Sequence, residues 1–314
     1  MKRTSISIRV SLSAIVSLLC LSAIALAGRE VFVAWAKLAD ADQVESSNKT
    51  SDVLLSAAGD WAVERGITNA ALAGKNPAPP ETRKAIKQRR SQADAALAQA
   101  FQRIEEADAF EASDGDVANT KAMLEQIIGV RRRVDTDLDK PLASRDSTLP
   151  EQWVSTMTSL IMASQNLRVA AQFQPDTIET NISQIQDAKG AIWTMSEYAG
   201  RERALLGRAI SGGRPLDTEA LQTLAAYRGR VEQSWLAVAP YLSRKDADSD
   251  VLAAAAAVNE TFFGSFEATR EAVYQAGISG SPFPSTPRSG LRRLPAQSTC
   301  CLPWRKRPER PGAN

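Results

Sequence analysis

The stretch Asp60-Trp61-Ala62-Val63-Glu64-Arg65-Gly66-Ile67-Thr68-Asn69-Ala70-Ala71-Leu72, with the stop Gly74-Lys75-Asn76-Pro77-Ala78-Pro79-Pro80 behind it, decides the fold. It reads as the end of a long helix: an aromatic residue, a Glu-Arg step, an apolar run, then glycine and prolines that break the backbone ladder. The same order returns 138 residues later. Glu64/Glu202, Arg65/Arg203, Gly74/Gly212, Pro77/Pro215, Glu81/Glu219 and Arg90/Arg228 are identical pairs at that offset. Six identities alone could arise by chance in alanine-rich helices, but the shared position of the Gly-Pro stop points to an internal duplication.

Outward from these stretches, helix-period segments separated by Pro and Gly fill residues 30–276, with no convincing alternating strand. The pattern predicts helices ending near Ala73 and covering about Glu81–Ala112, Asp116–Leu138, Pro150–Phe173, Thr177–Ile210, Asp217–Val238 and Asp250–Gln275. Long helices joined by short loops imply antiparallel bundles. The expected fold is all-α, an N-terminal transmembrane helix followed by two duplicated antiparallel helical bundles. Repeat one spans about 40–175 and repeat two about 177–285, the second lacking its last helix.

Composition removes most alternatives. The 314 residues contain no histidine and only three cysteines, Cys20 in an apolar run and the adjacent Cys300 and Cys301. A histidine-based triad, an ordinary zinc site and a disulfide framework are therefore excluded as readings, and no cofactor is expected. The net charge of +2 hides three segments. Residues 1–29 carry +4 from Lys2, Arg3, Arg9 and Arg29. Residues 286–314 carry +6, from seven Arg and Lys against Glu309. The 256 residues between hold 27 basic and 35 acidic groups, a net of −8. The basic character sits at the two ends, so nucleic-acid binding by the body is disfavoured.

From Val10 to Gly28 the chain reads VSLSAIVSLLCLSAIALAG without a charge. At 1.5 Å per residue that is about 28 Å, enough for a bilayer core. Lys2, Arg3 and Arg9 precede it, which keeps residues 1–9 cytoplasmic and sends the body, residues 29–285, outward. Ala25-Leu26-Ala27 has the form of a signal-peptide cleavage site, the competing reading. The run exceeds the usual h-region and its helical pattern continues through Leu38, which favours an uncleaved anchor.

A basic start, a membrane helix and then Asp60–Leu72 with its Glu-Arg-Gly step resemble the periplasmic sensor region of bacterial methyl-accepting chemotaxis proteins. Arg201-Glu202-Arg203-Ala204-Leu205-Leu206 is similar to the nitrate- and nitrite-sensing type of double helical bundle. The resemblance covers roughly residues 6–285. It implies a single-pass inner-membrane protein, generally a homodimer, that binds a small polar or anionic ligand in the periplasm and passes a helix displacement inward. It implies arginine ligands as well: Arg65 matches the arginine of the motif, Arg203 is its repeat equivalent and Arg201 lies beside it. Thr68, three residues after Arg65, offers a hydroxyl on nearly the same face. Val63 stands where relatives often carry another arginine. Such receptors continue into a second membrane helix, a HAMP coiled coil and a methyl-accepting hairpin, none of which these residues contain. The chain thus reads as the sensor portion of a truncated chemoreceptor; the alternative is a ligand-free membrane-anchored bundle for protein–protein interaction. A catalytic role finds no nucleophile–base pair, nucleotide loop or metal cluster in the sequence.

Other features read as structural. Arg131-Arg132-Arg133 points three ways round a helix and suggests a solvated face. Trp61, Trp153, Trp193 and Trp235 suggest bundle core. Asp135, Asp137 and Asp139 lack the glycine and terminal glutamate of a calcium loop. After Pro284 the composition turns abruptly to Pro and Arg, either a basic disordered tail or the product of a frameshift near residues 286–288. GC-rich codon choices there permit a hidden helical continuation beginning Glu-Trp-Val-Ala, which is similar to Glu151-Gln152-Trp153-Val154-Ser155 of the fourth helix. The nucleotide sequence across codons 280–314 decides between the two.

Overall fold

The computed structural model describes residues 8–106, 114–172, 180–212, 215–245, 247 and 249–283. Among them the chain is helical throughout: α1 (Ile8–Leu72), α2 (Pro80–Glu106), α3 (Asp114–Asp137), α4 (Leu149–Ala170), α5 (Thr180–Gly212), α6 (Thr218–Leu242), α7 (Ser249–Val258) and α8 (Phe266–Ser279). A π-helical segment, Asn259–Ser265, joins α7 to α8, so the expected seventh helix carries an internal irregularity. The tail reading at residues 286–314 and the expected helix ends at Ala112 and Phe173 lie outside the described residues.

α1 has two halves with different environments. Leu12, Ile15, Val16, Leu18, Leu19, Leu21, Ile24 and Leu26 are all exposed, and this half is long and apolar enough to cross a membrane. From Ser47 the helix enters the body. Ser47, Thr50, Leu54, Ala57, Trp61, Glu64 and Thr68 are buried, alternating three and four residues apart, the spacing of a bundle seam. The helix stops at Gly74 and the prolines, and its end is held from a distance. The Arg145 guanidinium donates to the carbonyls of Ala71 (2.9 Å), Leu72 (2.6 Å), Gly74 (2.9 Å) and Asn76 (2.8 Å), acceptors that a helix C-terminus otherwise leaves orphaned. Asp137 fixes the loop bearing Arg145 by accepting from the Asp146 N–H (2.8 Å) and Lys140 (2.7 Å).

α1 to α4 form the first bundle around one core that includes Trp61, Trp153, Leu97, Ile127, Met157 and Leu160. The second bundle, α5 with α6 and the α7–α8 unit, has two smaller clusters. Met195, Tyr198, Val231, Val258 and Phe262 form one; Leu206, Leu216, Leu224 and Val273 form the other. No fourth helix covers it among the described residues, and Leu236 and Ile278 stay exposed. Trp61, Trp153 and Trp193 are buried as core, and Trp235 packs against Phe263 in a tilted arrangement with ring centroids 5.4 Å apart.

The duplication is visible in individual interactions. The Ala78 N–H donates to the Leu138 carbonyl (2.8 Å), and the Leu216 N–H donates to the Gly277 carbonyl (3.2 Å). A Cβ on Gly277 would fall 2.6 Å from Leu216 Cδ1, so this close crossing requires the glycine. Glu64 is fully buried between Arg90 Nε (2.9 Å) on α2 and Arg131 Nη2 (2.6 Å) on α3. Its counterpart Glu202 meets Arg270 Nε (2.8 Å) and the Tyr274 hydroxyl (2.9 Å) on α8. Arg131 is therefore buried as the anchor of a carboxylate, which corrects the expectation of a solvated arginine face; Arg132 and Arg133 are exposed. Arg131/Arg270 and Leu138/Gly277 stand 139 apart rather than 138. The π segment before Arg270 accommodates that extra residue, because an i→i+5 turn holds one more residue than an α turn.

The two glutamates differ in how well they are satisfied. Both Glu64 oxygens accept from arginines, whereas Glu202 Oε2 is buried with no hydrogen bond among the described residues. Burial pushes the Glu202 carboxyl above its ordinary value against the pull of Arg270. Glu64→Gln should cost about 3–5 kcal/mol, the penalty for orphaning a buried charge. Glu202→Gln should cost much less at neutral pH. Denaturant unfolding of both variants checks this; equal losses would mean the two sites are equivalent in strength.

Candidate functional site

Adjacent residues on a helix point about 100° apart, so the Glu64-Arg65 step sends the acid into the first bundle and the base to its outside face. There α1 runs alongside α5 in the same direction. Gln186 donates to Asn48 (2.5 Å), Lys189 to Asp52 (2.6 Å), and Arg65 to Glu197. Gln186 and Asn48 are repeat equivalents, 138 apart. The two copies thus meet through their first helices, with matching positions face to face.

Arg65 sits in this seam as a fully engaged fork. Its Nη1 and Nη2 donate to Oε1 and Oε2 of Glu197 at 2.8 and 3.0 Å, and Nη1 also donates to the Thr158 hydroxyl of α4 at 2.8 Å. The indole of Trp153 donates to the Arg65 carbonyl (3.2 Å). Glu197 is shared: Arg201, one turn on along α5, donates from Nε at 2.7 Å. Burial alone would push the Glu197 carboxyl up, but Arg65 and Arg201 together hold it below its ordinary value of 4.5. The Arg201 guanidinium lies over the Tyr198 ring, 4.9 Å from its centroid. Arg230 covers that ring at 4.6 Å and donates to its hydroxyl (2.7 Å).

Arg203 differs from both. It is partly buried, and among the described residues it has no hydrogen-bond or ion-pair partner. Desolvation, and then the like charge of Arg65, lower its affinity for its proton. The repeat is not symmetric at this point. The residue on Arg65 is Glu197, and the position 138 before Glu197 is Gly59, which has no side chain to offer Arg203. Thr68 is fully buried one turn after Arg65, with its Oγ1 lacking a hydrogen bond.

Of the four residues expected from sequence, Arg65 and Arg201 are brought together on one carboxylate. Arg203 lies within the field of Arg65. Thr68 adds an unsatisfied hydroxyl to the same helix, without a hydrogen bond to the other three. The seam therefore holds three guanidinium groups against one carboxylate at this level, Arg65 buried and Arg201 and Arg203 partly so. Glu197, Thr158, Tyr198 and Gly59 were not expected; the acid-to-base spacing of Glu197 and Arg201, four residues apart, was the available signal. Asp135, Asp137 and Asp139 are spent on Arg90, Lys140 and Arg83.

A carboxylate held below its unfolded value contributes stability that is complete above that value and is lost as pH falls through the folded one. The melting temperature gap between the chain and its Glu197→Gln variant should stay constant between about pH 8 and pH 5 and shrink only below pH 4.5. A gap that closes near neutrality would show that Glu197 is not ionised in the seam.

The sequence model of the family described as nitrate and nitrite sensing matches residues 58–305. The match takes in Arg65, Thr68, Glu197, Arg201 and Arg203 and runs past the last described residue, Phe283. No curated protein and no solved structure gives a significant match. The matched stretch is most of the chain, it holds both copies of the Glu-Arg step, and it describes a sensor rather than a catalyst: the chain belongs to the nitrate and nitrite sensing family.

Proposed function

We propose that the chain is the extracytoplasmic ligand-binding part of a chemoreceptor-type membrane sensor, and that a planar oxyanion of the nitrate or nitrite class seats in the α1–α5 seam. Arg203 would supply the main guanidinium and Arg65 the second; Thr68, on the buried stripe of Glu64, would act from behind Arg65 rather than on the anion directly. The carrying observation is Arg203, partly buried and largely desolvated, with no counter-charge among the described residues. A buried cation is costly unless paired, and a guanidinium fork matches a planar anion. Family membership supports the ligand class.

α1 supports the relay. It is one unbroken helix from the apolar span to the seam, and Gly28 and Arg65 are separated by about 56 Å of it. A shift at Arg65 is therefore delivered to the membrane, with residues 1–9 on the cytoplasmic side by the positive-inside rule. The homodimer implied by the resemblance is supported by Leu21, Ile24, Val31, Trp35 and Leu38, all exposed and, with Gly28, spaced alternately three and four apart as in a helix–helix seam. Trp35→Glu should shift the chain from dimer to monomer by light scattering in detergent; an unchanged mass would remove this seam.

Arg203→Gln tests the site. Losing a charged hydrogen bond is worth about 1.5–3 kcal/mol, so nitrate affinity by calorimetry should drop about ten- to a hundred-fold. The same variant should melt no lower than the parent without nitrate, because it discards a partly buried charge that has no partner. Nitrate binding that survives Arg203→Gln would overturn the assignment.

A further inference from the structure

A planar oxyanion is already present on the Arg65 fork, and it belongs to the protein. Glu197 grips both terminal nitrogens of Arg65 from another helix at 2.8 and 3.0 Å, the bidentate arrangement a free planar anion would take. It also has a second arginine, Arg201, on its own helix at 2.7 Å. The repeat equivalent of Glu197 is Gly59, so the sequence supplies an acid at this position in one copy only.

We propose that Glu197 is a tethered competitor for the oxyanion. In the ligand-free chain it occupies the Arg65 fork and ties α1 to α5; an entering anion displaces it from Arg65, and Glu197 retires onto Arg201. No covalent bond forms or breaks and no proton moves, because both partners of the exchange stay charged. Arg201 is thereby a positioning residue that keeps the displaced carboxylate paired within α5. Thr158 continues to hold Arg65 through Nη1 during the exchange. The reading rests on the seam being the oxyanion site.

The consequence is that removing the competitor tightens binding, opposite to what a merely structural ion pair would do. The test uses the full chain in nanodiscs, with sodium nitrate as the probe read by calorimetry and thermal melting. Glu197→Gln is expected to bind nitrate at least five-fold more tightly than the parent. It should melt below the parent without nitrate, and nitrate should raise its melting temperature by more than it raises the parent's. Glu197→Asp keeps the charge but is one methylene too short to span Arg65 and Arg201 together, and should tighten binding to a lesser degree; it covers the case in which the glutamine variant does not fold. Gly59→Glu supplies the absent carboxylate opposite Arg203 and should weaken nitrate binding at least ten-fold. A parent that binds nitrate while folded Glu197 variants bind it equally or less tightly overturns the competitor and leaves the site standing. A parent that binds neither nitrate nor nitrite overturns the site, and the competitor with it.

Discussion

The pairing of Glu197 with Arg65 is the contact between the two bundles on which the candidate site depends. It fixes the register of α5 against α1 at the level of the site, and it gives Arg65 a low-dielectric environment it could not enter alone. One turn of helix geometry explains why the residues next to each other in sequence do different work. Glu64 faces inward and locks α2 and α3 to α1 through Arg90 and Arg131. Arg65, about 100° round the helix, faces the other copy. The Glu-Arg step is thus a junction: the acid organises one bundle internally, and the base joins that bundle to its duplicate.

Duplication supplies symmetry, and the site is made where symmetry fails. With α1 and α5 side by side and equivalent positions facing, Arg65 and Arg203 come to the same seam by construction. Had both copies kept an acid at the Glu197 position, four charges would cancel in pairs and leave a static interface. Position 59 is glycine instead, so one guanidinium is satisfied and the other is not. On the proposed reading, the cost of that desolvated positive charge is borne by the folded chain and would be recovered when an anion enters.

Much of this was legible in the residues. The helical period, the Gly-Pro stops and the offset of 138 give the architecture, because they are local or periodic properties. The Glu-Arg step marks Arg65 and Arg203. Arg131 was not legible: three arginines in a row point in three directions, and only the packing of α3 onto α1 selects the one that is buried. Arg270 was hidden for a different reason, since the extra residue accommodated by the π segment moves the later equivalences to 139 and a fixed offset misses them. Glu197 is visible beside Arg201, but its cross-seam partner depends on which helix of one bundle meets which helix of the other, a tertiary fact with no local signal.

The competitor also bears on how a small ligand moves a long helix. A ligand shifts an equilibrium only by its differential affinity for two states, and an oxyanion settling on a vacant fork would find one state alone. Glu197 creates the second: Arg65 tied to α5, or Arg65 tied to the ligand. In the second state the remaining named ties between α1 and α5, Asn48 to Gln186 and Asp52 to Lys189, lie about 20–25 Å nearer the membrane along α1, while Arg145 holds the far end of α1 within its own bundle. On the proposed reading, releasing the contact between these points would let the first bundle rotate against α5 about the two lower ties, and the displacement would run toward the apolar span along one unbroken helix.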